Sequence, residues 1–137
     1  MIPTTIFSDL HQAALAKLQT LVPSATWAYV NSLDAQKIDS QTVLLTPGLT
    51  PFDLSVESRA ADKAEIRLAV TILDKMKPGA NVDSNVSLLV QIAQLFERQA
   101  MANCVCTRAS IPVLCDPDLA ASNLYQGVVE LLFVCVR

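Results

Sequence analysis

The stretch AEIRLAVTILDKM, Ala64–Met76, decides how the rest of the chain is read. Ile66, Leu68, Val70 and Ile72 recur at every second position, with Glu65, Arg67, Ala69 and Thr71 between them. Successive side chains on a strand point to opposite faces, so this pattern buries one face and leaves the other mixed. The β-branched residues Ile66, Val70, Thr71 and Ile72 favour an extended backbone, whereas a helix would scatter the polar residues around its circumference. The segment therefore reads as a long strand, and its mixed face implies that something other than bulk water lies against it.

Its expected partner is LYQGVVELLFVCVR, Leu124–Arg137. Beyond Glu130 this run is apolar on both faces, the pattern of an interior strand covered on both sides. It is too short to cross a membrane as a helix, and Glu130 interrupts it.

Before the long strand, an amphipathic helix is expected from a cap at Thr4 or Thr5 to about Val22, with Ile6, Leu10, Ala14, Leu18 and Leu21 as its apolar stripe. Pro23 ends it. A short strand, Trp27–Val30, follows, then a helical turn capped by Asn31 or Ser32 and carrying Leu33 and Ile38. Thr42–Thr46 is a short strand stopped by Pro47-Gly48. In Gly48–Lys63, Phe52, Leu54 and Val56 alternate with Asp53, Ser55 and Glu57. Two readings fit: a strand turned into the long one as a hairpin by Ser58–Lys63, or a long mobile loop, of the kind that is often functional or ordered by a partner.

After the long strand, Lys77-Pro78-Gly79 is a stop signal. A second helix, capped by Asp83 or Asn81, is expected to reach about Asn103. Val82, Val86, Leu89, Ala93, Phe96 and Ala100 form its core face, widened by Val90 and Ile92, with Ser87, Gln91, Gln94 and Arg98 as a polar line. Cys104–Cys115 reads as a strand bent at Pro112. Asp116-Pro117-Asp118 makes a turn, and Leu119–Asn123 leads into the last strand. The expected fold class is α+β: one domain over 1–137, a mainly antiparallel sheet packed against two principal helices.

Composition narrows the function. The chain has 137 residues, 52% hydrophobic and 17% charged, with a net charge of −3. That supports one real core and argues against disorder. The apolar share is high for a small monomer, and surplus apolar surface is commonly buried between subunits. The acidic balance gives no reason for tight nucleic-acid binding. No basic leader, twenty-residue apolar segment or lipidation signal is visible, so a cytosol, or a particle assembled in one, is the expected location.

Signals for catalysis are largely absent. The chain has only Gly48, Gly79 and Gly127 as glycines and contains no phosphate-binding or nucleophile-elbow motif. His11, the only histidine, reads as a solvated residue on the polar side of helix one. Cys115-Asp116 places an anion beside a thiol, which opposes its activation. Cys104 and Cys106, one residue apart, read as diverging along a strand, so no zinc site is expected. Cys104, Cys106, Cys115 and Cys135 are expected reduced, as small hydrophobes. No catalytic residue, metal or cofactor is assigned, and a structural or binding protein is the expected class.

Taken end to end, the layout resembles the tail terminator, or tail-completion, proteins of long-tailed bacteriophages. The similarity covers nearly the whole chain. It is carried by the N-terminal helix, the W-A-Y strand, and T-V-L-L-T-P-G before an irregular segment containing Ser58-Arg59. A-E-I-R-L-A-V-T-I-L-D-K, D-S-N-V-S-L-L-V-Q-I-A-Q-L and L-Y-Q-G-V-V-E-L complete it. The resemblance implies a virion protein at the tail–neck junction, assembled in the host cytoplasm. There it would form a ring, usually of six subunits, on the head-proximal end of the tail tube. The ring ends tube polymerisation and docks the neck or connector protein. DNA would pass through its lumen without sequence-specific binding, and no membrane is involved. Phe52, Leu54, Val56, Arg59, Glu65 and Arg67 are the expected contacts with a neighbouring subunit or the tube protein. Two other readings stand beside it: another neck ring protein (head completion or stopper), and a small cytosolic binding domain that dimerises.

Overall fold

A computed structural model describes residues 2–31, 33–34, 37–76 and 82–137. The elements run α1 (Ile6–Gln19), β1 (Thr26–Trp27), β2 (Thr42–Ser58), β3 (Ala61–Lys75), α2 (Val82–Phe96), β4 (Ala100–Met101), β5 (Cys104–Val113), α3 (Pro117–Ala120) and β6 (Leu124–Val136). The strands form one sheet in the order β1-β2-β3-β6-β5-β4. Every pairing is antiparallel except β1 with β2. This is an α+β fold with a mainly antiparallel sheet, as the alternation predicts.

β3 and β6 are the central pair, in unbroken register from Lys63↔Val136 to Lys75↔Leu124. Ile66, Leu68, Val70 and Ile72 face Val129, Leu131 and Phe133 along the same side, all fully buried. α1 covers this face with Ile6, Leu10, Ala14 and Leu18, and α2 with Leu89, Ile92 and Phe96, in one continuous core. Phe96 meets Phe133 edge to face, with ring centres 6.3 Å apart. Among the described residues no helix is long and apolar enough to cross a membrane.

Several local expectations need correction. The β6 run beyond Glu130 is covered on one side only: Leu132 and Val134 are half-buried and Val136 is exposed. β2 does not stop at Pro47-Gly48. It pairs with β3 up to Pro47↔Leu68 and again from Phe52↔Ile66, so the intervening residues bulge out of the ladder. A bulge is where a sheet tolerates proline, which brings no N–H to the ladder. Arg67 braces this bulge by donating from Nη1 to the Thr50 carbonyl at 3.3 Å. Thr50 itself takes a left-handed φ of 47°.

α1 ends at Gln19, before Val22, and Thr5 occupies its N-cap position without a backbone cap bond. Its hydroxyl donates instead to the Asp9 carboxylate, 2.9 Å away. β1 spans two residues rather than four. α2 stops at Phe96, well short of Asn103, because Arg98 turns left-handed (φ 61°) and the chain doubles back as β4. Ala102 and Asn103 then both take positive φ, the arrangement of a tight two-residue hairpin turn into β5. Ala100 therefore leaves the α2 core face and Val90 is exposed; the buried line is Asn85, Leu89, Ile92 and Phe96. Asn85 is satisfied there, donating to Asp74 at 3.0 Å and accepting from Gln41 at 2.7 Å. Asp83 lies in the first turn of α2, and Asp116 caps α3 through its carboxylate. The Lys77-Pro78-Gly79 stop and the Ser32 and Asn81 caps fall outside the described residues.

Gly127 shows how tightly α2 lies on β6. A Cβ there would come within 2.5 Å of Leu89 Cδ1 and 2.6 Å of the Tyr125 hydroxyl oxygen. That hydroxyl is already committed, donating to the Leu114 carbonyl at 2.6 Å. Gly127→Ala should destabilise by about 1–3 kcal/mol through overpacking, and Leu131→Ala by about 2–5 kcal/mol through a cavity. Denaturant unfolding checks both, and a loss below about 0.5 kcal/mol for Leu131→Ala would contradict the sheet placement.

Candidate subunit interface: the β2–β3 arm

The distal halves of β2 and β3 form a hairpin arm, which decides between the two readings of the 48–63 segment in favour of the hairpin. The strands pair from Phe52↔Ile66 to Ser58↔Ala61, so Arg59-Ala60 is the turn, tighter than the expected one. The Ala60 amide donates to Ser58 Oγ at 3.3 Å across it. All residues in 49–60 are exposed.

The arm is not loosely tethered. Its β3 half is held on both sides, by β2 and by the end of β6. Asp62 and Arg137 exchange backbone hydrogen bonds of 2.5 and 2.8 Å. The β2 half is held on one side only. β1 lines Leu44 and Leu45, and among the described residues no strand lies along the outer edge of β2 from Thr46 onward. An unpaired edge beside an apolar row is an invitation to pair with another chain.

Paired residues share a sheet face, so the register sorts the six expected contact residues into two groups. Phe52, Leu54 and Val56 lie on the face of Ile66 and Ala64, extending the core row beyond the helices. Leu54 is 58% exposed and Val56 77%. Ile2, Leu54, Ser55, Val56 and Asp62 line an open groove of about 300 Å³ along this row. Glu65 and Arg67 lie on the opposite face. There Glu65 bridges Lys63 at 3.2 Å and Arg67 at 3.3 Å, a half-exposed trio. Arg59 stands at the tip.

At the root of the apolar row, Phe52 joins an aromatic cluster that sequence reasoning did not find. Phe7 lies 6.3 Å from Phe52 and 6.2 Å from Trp27 by ring centres. His11 stacks on Trp27 at 4.1 Å with only 3° between the ring planes. The Tyr29 hydroxyl is 3.4 Å from His11 Nε2. His11 is thus 8% exposed and buried, contrary to the expected solvated position. The polar side of α1 was the wrong place for it because β1 and Tyr29 close over that flank. Its Nδ1 and the Trp27 Nε1 are buried without protein partners. The recoverable signal was Phe7 and His11 at helical i, i+4 spacing just upstream of W-A-Y.

Cys104 and Cys106 also depart from expectation. At period two they share a face rather than diverging, and both are fully buried. Among the described residues no cluster of three or more His, Cys, Asp or Glu could hold a metal. What the arm can do is present an apolar row, a backbone edge and a charged opposite face at one end of the molecule. No protein-family model matches this chain, and neither does any curated protein.

Burial lowers the His11 pKa from its ordinary 6.5 by desolvating the imidazolium. The unfolded chain therefore takes up the proton first. Stability from this group is complete above about pH 6.5 and is lost as pH falls from there through the lowered value. Unfolding midpoints measured from pH 7.5 to 5 should decline more steeply for the wild type than for His11→Phe. Parallel curves would place the imidazole outside the cluster.

Proposed function

We propose that this protein is a structural ring subunit of the phage tail–neck junction. In this reading copies close head to tail, as six, on the head-proximal end of the tail tube. The ring ends tube polymerisation and offers a docking surface to the neck. The observation that carries the reading is the arm: a firmly paired hairpin with an uncovered apolar row and an open edge.

Such a surface is a hazard on a monomer and needs a cover. The arm sits at one end of the sheet, and a contact between it and a different surface of the next copy is heterologous. Heterologous contacts close into rings when the rotation permits. The resemblance to tail terminators supplies the place of such a ring. A net charge of −3 agrees with a lumen through which DNA slides without sticking. A second reading, a dimer paired through the β2 edges, is favoured by the openness of that edge alone.

Phe52 holds the arm to Phe7 of its own chain, so Leu54 and Val56 are the cleaner probes. The wild type should sediment as a closed ring, alone or on addition of tube protein, and should cap tubes at a defined length in electron micrographs. Leu54→Asp with Val56→Asp should stay monomeric, keep its unfolding midpoint and leave tubes uncapped. A stable dimer would favour the edge-paired reading. A wild type that stays monomeric at high concentration, with and without tube protein, would end the ring reading.

A further inference from the structure

Cys104 and Cys135 stand across from each other on neighbouring strands. β5 and β6 pair with Val105↔Val134 and Cys106↔Phe133, so the same register sets Cys104 opposite Cys135. The kind of pair matters. Opposed residues in an antiparallel ladder alternate between hydrogen-bonded pairs and closer, non-hydrogen-bonded ones.

Two sets of backbone bonds identify this one. The Cys106 amide donates to the Gln99 carbonyl and its carbonyl accepts from Arg98, so both groups point away from β6. Two residues earlier, Cys104 has the same orientation. From the other side, Arg137 exchanges both its backbone bonds with Asp62 on β3. Two residues earlier, Cys135 therefore turns its peptide groups to β3 and away from β5. Both sets make Cys104–Cys135 a non-hydrogen-bonded pair. In such pairs the Cα atoms are about 4.5 Å apart, inside the span of about 4.4–6.8 Å that a disulfide bridges.

The side chains occupy one compartment. Both cysteines are buried, and as an opposed pair they share one sheet face, with Cys104 Sγ also 3.7 Å from the Ala102 carbonyl. Cys106, on the same face as Cys104, is turned to a different partner: its Sγ donates to the Arg108 carbonyl at 3.5 Å. Cys115 is half-buried just beyond the far end of β5.

We propose that Cys104 and Cys135 are a dithiol–disulfide pair that a small-molecule disulfide oxidises, stapling β5 to β6. The thiolate of Cys135, near the end of β6 where strands open most readily, attacks one sulfur of the oxidant. This forms a mixed disulfide and releases one small thiol. The Cys104 thiolate then attacks Cys135 Sγ, closing the protein bond and releasing the second small thiol. Two electrons and two protons pass from the protein to the oxidant. Burial and the neighbouring Cys135 push the Cys104 thiol up to about 12. Little Cys104 thiolate therefore forms at neutral pH, so closure of the bond is slow there, and a reducing compartment keeps the pair open. This inference does not depend on the ring reading.

The test uses the full chain, reduced, desalted and incubated with oxidised glutathione, then alkylated under denaturing conditions and weighed intact. The expected product is two hydrogens lighter, retains two alkylated cysteines, and yields a linked Cys104–Cys135 peptide on digestion. Its formation should speed up roughly tenfold from pH 7 to pH 8, following the thiolate fraction. Cys135→Ser should abolish the mass loss. Four alkylated cysteines, a glutathione adduct at Cys115 as the sole product, or a bond joining any other two cysteines would each overturn the proposal. Because the wild-type mass decides, the outcome stands even if the serine variant fails to fold.

Discussion

The pairing of β3 with β6 is the constraint on which the molecule depends. It runs unbroken from Lys63↔Val136 to Lys75↔Leu124, and it sets the register of everything attached to it. A slip of one residue would turn Ile66, Leu68, Val70 and Ile72 away from the helices and bring Glu65 and Arg67 inward. Such a slip would bury an ion trio and expose four β-branched or leucine side chains, so the alternation itself excludes it. The strands on either side are registered against this pair: β5 on β6 sets Cys104 opposite Cys135, and β2 on β3 sets Phe52 opposite Ile66. Core, thiol pair and arm are all built on the two strands of this central pair.

The strands with strict period-two alternation were legible in the sequence, as were the two main helices, because their side-chain patterns report burial directly. So was the apolar row of the arm, although its conformation was not. The misreadings share a cause. Pro47-Gly48 looks like a stop because proline and glycine end most strands, yet here they open a bulge that Arg67 braces from the next strand. α2 looks longer than it is because Ala100, Met101 and Ala102 are good helix formers. The left-handed Arg98 and the Ala102-Asn103 turn divert them into a hairpin without a glycine to announce it. His11 looks solvated on a helical wheel, and only the tertiary position of Trp27 and Tyr29 buries it. Distant segments decide the bulge and His11, and backbone turns without glycine decide the end of α2.

The uncovered outer face is the other feature that local pattern could not settle. Leu132 and Val134 are as apolar as core residues, so the end of β6 reads as sandwiched between two layers. In the chain alone, helices cover one side. On the other side Leu44 and Leu73 are buried but stand outside the main core, whereas Leu132, Val134 and Val136 remain partly open. The apolar share noted in the composition is therefore not spread evenly. Part of it lies on this face and along Leu54 and Val56, at the same end of the β3–β6 pair.

The exposed row bears on how the arm would engage a partner. A segment that orders only on binding loses affinity to the entropy of ordering, about 1–2 kcal/mol for each backbone residue fixed. The arm avoids most of this loss. Its return strand is paired on both sides, its tip is a tight turn, and its root is held by Phe52 against Phe7 and the stacked His11–Trp27 pair. What stays exposed is therefore already in the shape in which it would be covered. A preordered apolar row gains nearly the whole hydrophobic return on burial, about 25 cal/mol per Å². Rigidity at the root and exposure at the tip thus fit together: the aromatic cluster holds the arm in place, and in the proposed ring its uncovered row would be what a neighbour buries.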